Sequence, residues 1–177
     1  MSNRAVFLDR DGTINLGIPK YERVDSPEKV ELFPDTVEAL RVLAGLDYAL
    51  FFVTNQAGIA EGLISLDDFE VINRRVLSLI SPSGAVIRET CLCPHDETSN
   101  CECRKPKPKL LLDAAKKYDI DLSESWMVGD RLTDVQTGQN AGTKTILVKS
   151  GGPAEAPDAT FTADNLLQAA QYIVDHS

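Results

Sequence analysis

Short apolar runs alternate with segments of helical periodicity along most of the chain. Five of these runs are short and rich in β-branched, aromatic or other apolar side chains, which predicts buried strands. They span residues 5–8, 49–54, 86–92, 125–128 and 143–148. This alternation is typical of a mainly parallel sheet with helices on both faces. We therefore predict an α/β fold of the Rossmann-like type.

Two short motifs predict where helices begin. Asp35 is followed three residues later by Glu38, and Ser65 by Asp68, and both pairs resemble capping boxes. Later helices are expected at residues 108–118, 133–141 and 165–174.

Length and composition favour one folded unit. The chain has 177 residues, of which 43% are hydrophobic and 25% charged, so we expect a single domain over residues 1–177 with a substantial core. No apolar segment is long enough to span a bilayer, and no signal-peptide core follows Met1. We expect a cytoplasmic monomer without a membrane partner.

The net charge of −9 disfavours nucleic acid as a partner. A small phosphorylated molecule remains compatible with this charge, because a local cationic pocket or a bound metal can hold one phosphate group. The positions of individual Lys and Arg residues therefore carry more information than their number.

Two carboxylates lie two residues apart where the first strand ends. Asp9 and Asp11 follow the run at 5–8, and Gly12 then favours a sharp turn. Ligands bind at this edge of open α/β sheets. A cation can hold Asp9 ionised for nucleophilic attack while Asp11 handles a proton. The alternatives are a solvated turn and a calcium loop, but a calcium loop requires its glycine at position six after a helix.

Polar residues also follow two later strands. Thr54 ends the second strand and is a candidate donor to a phosphoryl oxygen, although it could simply cap a helix. Asp130 ends the fourth strand and could bind one octahedral cation together with Asp9. Sites of this kind, with few carboxylates and several waters, suit Mg²⁺. Asp134 lies about one helical turn further on and could equally cap that helix.

Cations stand just before the predicted helix at 108–118. Lysines and helix N-termini both stabilise anions. Lys105 is the candidate for the site, whereas Lys107 and Lys109 are expected to be solvated.

All four cysteines fall in one short segment with a histidine, which is not disulfide spacing. Two pairs of ligands separated by five residues make a complete tetrahedral Cys₃His set for Zn²⁺, and four ligands leave no open position. We therefore expect a structural zinc site in a loop spanning residues 91–105. Free thiols are the alternative, and Cys91 is expected to be a small buried side chain within a strand. The predicted zinc ligands are Cys93, His95, Cys101 and Cys103.

Taken in order, these motifs resemble those of the haloacid dehalogenase superfamily of phosphohydrolases over residues 7–148. The resemblance implies that Asp9 is the nucleophile that accepts the phosphoryl group, and that Asp11 protonates the leaving oxygen and then activates water. It also implies that Thr54 and Lys105 hold the transferring oxygens. Mg²⁺ would be bound by the Asp9 carboxylate, the Asp11 backbone carbonyl and Asp130. Asp134 is expected to orient Lys105 or a metal-bound water.

The cysteine-rich loop is similar to that of one branch of this superfamily. The branch contains the D-glycero-D-manno-heptose-1,7-bisphosphate phosphatases and the histidinol-phosphate phosphatases. Residues 8–15 and 53–60 favour the heptose enzymes, whereas the spacing from His95 to Cys101 and residues 129–134 are closer to the histidinol enzymes. Residues 17–22 also lack the Gly-Tyr pair that helps the heptose enzymes hold the sugar.

The function we expect is Mg²⁺-dependent hydrolysis of a sugar bisphosphate, with histidinol phosphate as the alternative substrate. Asn55, Arg104 and Arg131 are candidate substrate-binding residues, because a guanidinium matches phosphate geometry. No segment is long enough for a separate cap domain, so residues 15–24 and the zinc loop would select the substrate.

Two rival functions remain. A non-catalytic zinc-stabilised binding protein would be expected to lack a catalytic aspartate, but the aspartates are present. A phosphatase acting on nucleic-acid ends would require a basic groove, which the negative charge disfavours.

Overall fold

A single six-stranded sheet organises the protein in a computed structural model that describes residues 3–17, 24–152 and 155–177. All neighbouring strands are parallel, and their order is β3-β2-β1-β4-β5-β6. The predicted mainly parallel α/β sheet is confirmed. The strands are β1 (Ala5–Leu8), β2 (Ala49–Asn55), β3 (Ile87–Cys93), β4 (Trp126–Gly129), β5 (Lys144–Val148) and β6 (Phe161–Ala163).

Each predicted helix is present within a few residues of its expected bounds. Ser65 and Asp68 form the predicted capping box, with Asp68 N donating to Ser65 Oγ at 3.0 Å and Ser65 N donating to Asp68 Oδ2 at 2.8 Å. The capping box predicted at Asp35 is wrong, because this carboxylate accepts from the backbone N of Leu167 at 2.9 Å instead. The helices are α1 (Thr36–Ala44), α2 (Ala57–Ala60), α3 (Leu66–Ile80), α4 (Lys109–Tyr118), α5 (Leu132–Ala141) and α6 (Leu166–Asp175).

The helices cover both faces of the sheet, as the strand sequences require. Alternate side chains of a strand point to opposite faces. In β1, Val6 and Leu8 pack in the core formed with α1, α3 and α6, whereas Ala5 and Phe7 pack in the core formed with α4. In β5, Leu147 packs against Val135 of α5 on the α4 side. The uninterrupted apolar sequence of β1 therefore reflects burial on both faces.

Two elements were missed by sequence analysis. The strand β6 and the helix α2 have three and four residues, which is too short for a periodicity to be recognised. Within the described residues, the elements outside the sheet are the helices that cover it and short 3₁₀ turns. Of the loop at 15–24, residues 18–23 lie outside the described part, so its expected role in substrate selection stays a prediction. Across the described ranges, none of the helices combines the length and apolar character needed to cross a membrane.

The order of the strands determines where a site can form. From β1 the chain proceeds outward to β2 and β3 on one side, and to β4, β5 and β6 on the other. Loops that leave β1 and β4 therefore diverge above opposite faces and leave a crevice at the carboxyl ends of these strands. Open α/β sheets bind their ligands in this crevice.

Candidate active site

The carboxyl ends of three neighbouring strands bring the predicted residues together. Asp9 follows β1, Thr54 lies one residue before the end of β2, and Asp130 follows β4. The turn after β1 packs directly on Asp130 at Gly12, which has a φ of +101°. A Cβ atom at this position would lie 2.4 Å from Asp130 Oδ2. Glycine is therefore required both by the backbone conformation and by the close approach.

Lys105 lies buried between two aspartates. Its Nζ is 2.5 Å from Asp9 Oδ1 and 2.6 Å from Asp134 Oδ1, and it donates to the carbonyl oxygen of Val53 at 2.9 Å. By contrast, the side chains of Lys107 and Lys109 are 41% and 51% exposed. Of these three lysines, Lys105 is therefore the one that contacts the carboxylates at the strand ends.

Negative charge exceeds positive charge around this lysine. Burial raises the pKa of Asp9 well above its ordinary value, with Lys105 acting in the opposite direction. Burial and the neighbouring Asp134 charge also raise the pKa of Asp130. Burial lowers the pKa of Lys105, but the charges of Asp134 and Asp9 outweigh it and raise that pKa. Three carboxylates with one ammonium thus favour the arrival of a further cation.

The donor set fits a divalent metal ion. Asp9, Asp130 and Asp134 each offer a carboxylate oxygen, and these atoms lie within 4.8 Å of one another. The Thr13 hydroxyl donates to Asp130 Oδ1 at 3.4 Å and helps to orient that group. Hard oxygen ligands are those that Mg²⁺ and Ca²⁺ prefer. The side chain of Asp11 lies outside this group. This is compatible with the predicted metal contact of Asp11, which uses its backbone carbonyl rather than its carboxylate.

Asp134 contacts two other parts of the site. Besides its ion pair with Lys105, its Oδ2 accepts from the backbone N of Arg131 at 3.0 Å, which caps the first turn of α5. The sequence suggested two roles for Asp134, as a partner of Lys105 and as a helix cap. The same buried carboxylate makes both contacts. Its oxygen is also near enough to Asp9 and Asp130 to share a metal.

Four hydrogen bonds surround the Asp11 carboxylate. Arg10 donates from Nε to Oδ1 at 3.1 Å and from Nη2 to Oδ2 at 2.9 Å. Asn15 Nδ2 donates to Oδ1 at 2.9 Å, and Gln56 Nε2 donates to Oδ2 at 2.7 Å. Burial raises the pKa of Asp11, but the Arg10 charge and these hydrogen bonds outweigh it and lower that pKa. Asp11 is therefore held as a carboxylate in this arrangement.

Arg10 and Gln56 belong to the site but were not predicted from the sequence. Arg10 is 1% exposed and its guanidinium lies 5.0 Å from the ring centre of Phe69 in α3. The sequence alone suggests that an arginine between two aspartates is exposed to solvent. No local pattern indicates that Phe69 of α3 covers Arg10. Gln56 follows the Thr54-Asn55 motif directly, and this adjacency was the available signal.

Asn55 contacts the protein backbone rather than standing free for substrate. Its Nδ2 donates to the carbonyl oxygen of Lys105 at 3.2 Å, and its Oδ1 accepts from the backbone N of Lys105 at 3.1 Å. The side-chain amide thus pairs with both backbone groups of one residue, just before the cis peptide bond between Lys105 and Pro106. Asn55 also lines the cavity described below, so a substrate contact remains a prediction.

The four predicted zinc ligands converge. Cys101 Sγ lies 3.7 Å from both Cys93 Sγ and Cys103 Sγ, and His95 Nδ1 lies 3.8 Å from Cys93 Sγ and 3.3 Å from Cys103 Sγ. Ligands on a tetrahedral zinc ion with Zn–S of about 2.3 Å stand about 3.8 Å apart. The Cys93–Cys103 separation of 2.9 Å is shorter. The donor set and most of its spacings fit Zn²⁺.

Cys91 stays outside this cluster, as predicted. It is buried in β3 and packs in the core on the α4 face. Burial raises the pKa of its thiol to about 12, which makes it an unreactive apolar group.

A cavity of about 1110 Å³ opens beside these groups. Asp11, Asn55 and Lys105 line it on the side of the strand ends, and Arg104 and Arg131 also contribute. Arg104 donates to the carbonyl oxygen of His95 at 3.2 Å and lies 3.5 Å from the exposed Glu97 carboxylate. The cavity is large enough for a sugar with two phosphate groups, and it places guanidinium groups and Lys105 around one space.

Replacing Gly129 with Ala tests whether the position of Asp134 matters. The added Cβ would lie 2.4 Å from Asp134 Cβ, so this side chain must move away from Lys105. We expect a loss of about 1–3 kcal/mol in the free energy of unfolding, as for other overpacked sites, together with slower phosphate release. Urea unfolding and a phosphate assay measure the two effects. A variant with unchanged midpoint and rate would show that Asp134 is free to shift.

These features define a class of enzyme. Haloacid dehalogenase (HAD) type phosphatases hydrolyse phosphoric monoesters. Their site combines an aspartate at the end of the first strand, a hydroxyl at the end of the second, a buried lysine and a further aspartate after the fourth. A HAD-hydrolase-like family model matches residues 102–175.

Relatives of known name cover nearly the whole chain. The D-glycero-beta-D-manno-heptose-1,7-bisphosphate 7-phosphatase of Helicobacter pylori strain J99 is 36% identical over 173 residues, which are 97% of this chain and 98% of the relative. The enzyme of the same name from Pasteurella multocida is 38% identical over 157 residues, 85% of this chain and 84% of the relative. The protein belongs to this family of HAD phosphatases.

A solved structure supports the same relationship. The D,D-heptose 1,7-bisphosphate phosphatase from B. bronchiseptica, crystallised with magnesium and phosphate, superposes with a TM-score of 0.88 at 30% identity. The match covers 98% of this chain and 99% of that one. The protein is thus a phosphoric monoester hydrolase with the HAD fold.

Proposed function

We propose that the protein is a Mg²⁺-dependent phosphatase that removes one phosphate from a sugar bisphosphate such as D-glycero-D-manno-heptose 1,7-bisphosphate. The observation that carries this proposal is the convergence of Asp9, Thr54, Lys105 and Asp130 at the carboxyl ends of adjacent strands. The names of the relatives and the magnesium in the related crystal structure support the choice of substrate and metal.

In the first step, a carboxylate oxygen of Asp9 attacks phosphorus and the bond to the sugar oxygen breaks. The electron pair of this bond stays on the sugar oxygen, which takes a proton from the Asp11 carboxyl group. The charge of the arriving phosphate raises the pKa of that carboxyl and so favours its protonated form. The Lys105 ammonium and the Thr54 hydroxyl stabilise the equatorial oxygens.

In the second step, water hydrolyses the phosphoryl group on Asp9. Asp11, now a carboxylate, takes a proton from the attacking water, and the bond between phosphorus and the Asp9 oxygen breaks. Asp9, Asp130 and the Asp11 backbone carbonyl would hold Mg²⁺, with Asp134 within reach. The bound ion supplies charge neutralisation that lets the carboxylate and the anionic phosphate approach.

Two arginines support a substrate with a second phosphate. Arg104 and Arg131 line the cavity that Lys105 and Asp11 also line, and a guanidinium binds phosphate with two parallel hydrogen bonds. Histidinol phosphate has an ammonium and an imidazole where a sugar bisphosphate has its second phosphate. The guanidinium groups would repel such a cation, whereas Glu61, Asp96 and Glu97, which also line the cavity, would attract it. The substrate panel described next distinguishes the two effects.

Phosphate release from a small panel of substrates tests the proposal. The panel contains heptose 1,7-bisphosphate, the matching heptose monophosphates and histidinol phosphate, ranked by kcat/KM. We expect the bisphosphate to rank first. Arg104→Met should lower its kcat/KM more than that of the monophosphates. Preference for histidinol phosphate would overturn the choice of substrate while leaving the phosphatase class intact.

We also propose that Cys93, His95, Cys101 and Cys103 bind a structural Zn²⁺. The four ligand atoms lie within 4.8 Å of one another, and a full tetrahedral set has no place for substrate. Arg104 and Lys105 follow Cys103 directly. Zinc binding would therefore stabilise the segment that brings both cations to the cavity.

We expect Cys101→Ser to lose the bound zinc. We also expect its activity to fall by about tenfold or more, because changes around metal sites typically cost 10–100-fold in metal affinity or activity. Elemental analysis gives the zinc content and a phosphate assay gives the rate. Cys91→Ser is the matched control, because Cys91 lies outside the cluster and should keep one zinc per chain. Equal zinc content in the two variants would contradict the proposed ligand set.

A further inference from the structure

Gln56 contacts two of the proposed catalytic groups at once. Its Nε2 atom donates to Asp11 Oδ2 at 2.7 Å and to Thr54 Oγ1 at 2.8 Å. A primary amide nitrogen carries two hydrogens, so both are used. Gln56 is 9% exposed, and one buried amide therefore connects the residue that handles the proton with the residue that binds the phosphoryl oxygen.

This contact fixes the hydrogen-bonding role of Thr54. A hydroxyl group has one hydrogen to donate and two lone pairs to accept with. Because Thr54 Oγ1 already accepts from Gln56, its own hydrogen is left for another acceptor. The amide thus orients Thr54 as a donor, which is the role that an anionic phosphoryl oxygen requires.

The other hydrogen bond of the Gln56 amide helps to position the Asp11 carboxylate. Three of its four hydrogen bonds come from Arg10 and Asn15, which belong to the same turn as Asp11 itself. The fourth comes from Gln56, 45 residues away along the chain, at the end of β2. Arg10 and Asn15 can move together with the turn, whereas Gln56 ties the Asp11 carboxylate to the neighbouring strand.

The backbone of Gln56 is held independently of its side chain. Its N donates to the carbonyl oxygen of Cys93 at 2.8 Å, and its carbonyl oxygen accepts from the N of Ile59 at 3.1 Å. A substitution that alters only the side-chain amide leaves both of these bonds available. The effect of such a substitution can therefore be assigned to the contacts with Asp11 and Thr54.

We infer that Gln56 is a positioning residue for proton transfer, which holds the Asp11 carboxyl beside Thr54 so that its proton reaches the leaving oxygen. This inference rests on the roles proposed above for Asp11 and Thr54. When the phosphorus–oxygen bond breaks, the leaving oxygen keeps the electron pair and gains the Asp11 proton. A misplaced Asp11 therefore slows this step more for a strongly basic leaving oxygen than for one that is stable as an anion.

The test compares two monophosphates of similar size. The leaving oxygen of p-nitrophenyl phosphate is stable without a proton, whereas that of benzyl phosphate is an alkoxide that must be protonated. The measured quantity is kcat/KM, which covers steps up to departure of the leaving group and excludes the later attack of water. The ratio of the benzyl to the p-nitrophenyl value isolates proton delivery.

Gln56→Met keeps the length of the side chain but removes both donors. Gln56→Glu keeps the shape, and its ionised side chain donates to neither Asp11 nor Thr54. We expect each variant to lower the ratio by about tenfold, part of the 10²–10⁴-fold that a positioned acid contributes. Asp11→Asn should lower it further. Gln139→Ala, which removes an exposed amide hydrogen bond to Asp158 O, is the matched control and should leave the ratio unchanged.

The outcomes separate this inference from the proposed function. If Asp11→Asn lowers the ratio and both Gln56 variants leave it within twofold of the unaltered protein, Gln56 has only a structural role and the inference is overturned. If Asp11→Asn itself leaves the ratio unchanged, the proposed acid role of Asp11 fails. Circular dichroism of each variant confirms folding. If Gln56→Met does not fold, the isosteric Gln56→Glu variant decides the question.

Discussion

Asp9→Asn is expected to lower phosphate release by about 10⁴-fold or more, as loss of a covalent nucleophile does in other enzymes. The amide cannot form the acyl phosphate, and it is a weaker ligand for a divalent cation. Folding should persist, because the Asn oxygen can still accept from Lys105 and because Asp134 keeps its ion pair with that lysine. The rate is measured as phosphate release from p-nitrophenyl phosphate with saturating Mg²⁺.

Asp113→Asn is the matched control for this change. Asp113 pairs with Lys109 on the exposed face of α4, so the same chemical substitution there should leave the rate unaltered. Zinc content and the urea midpoint should be unchanged in both variants. Turnover by Asp9→Asn within tenfold of the unaltered protein would remove the aspartyl-phosphate mechanism, whatever the substrate.

Lys105→Met is expected to affect both stability and catalysis. Without the ammonium, the Asp9 and Asp134 carboxylates stay buried and lose their shared cation, which costs about 3–5 kcal/mol when one partner of a buried pair is removed. The variant also loses a donor to the transferring phosphoryl group. We expect this loss to lower kcat by about 10²–10³-fold, as removal of one oxyanion-hole donor does in other enzymes. Urea unfolding in EDTA and phosphate release in Mg²⁺ measure the two effects.

Lys109→Met serves as the control, because its ion pair with Asp113 is half exposed and such pairs contribute about 0–1 kcal/mol. Added Mg²⁺ should restore more stability to Lys105→Met than to the control, since the ion can neutralise the same carboxylates. If Mg²⁺ stabilises neither variant, Asp9 and Asp130 do not form the metal site that we propose.

The fold could be predicted from the sequence because its signals are local. The strand β1 is apolar at all four positions, and β2, β4 and β5 each contain at least three consecutive apolar residues. Such runs are typical of strands that are covered on both faces of a sheet. The three-residue strand β6 carries too few positions for such a pattern. At Asp35 the motif was ambiguous, because a carboxylate before a helix can bond its own helix or, as here, the backbone of α6, and sequence spacing cannot distinguish the two.

The site was predictable at the strand ends and less so between them. Asp9 and Asp130 directly follow β1 and β4, and Thr54 lies at the carboxyl end of β2, so the topology alone brings the three residues together. The pairing of Asn55 with the Lys105 backbone depends on the path of the chain between β3 and α4, which no periodicity encodes. The burial of Arg10 depends on packing against Phe69, a contact between residues far apart in sequence.

The pairing of Asn55 with the Lys105 backbone has a consequence for how substrate range can change. In the segment 96–100, Asp96, Glu97 and Asn100 border the cavity, while Lys105 is anchored to β2 by an amide that does not involve this segment. Insertions or deletions in that segment can therefore reshape the entrance without displacing the ammonium group. Such separation allows related enzymes to diversify recognition and still retain one reaction chemistry.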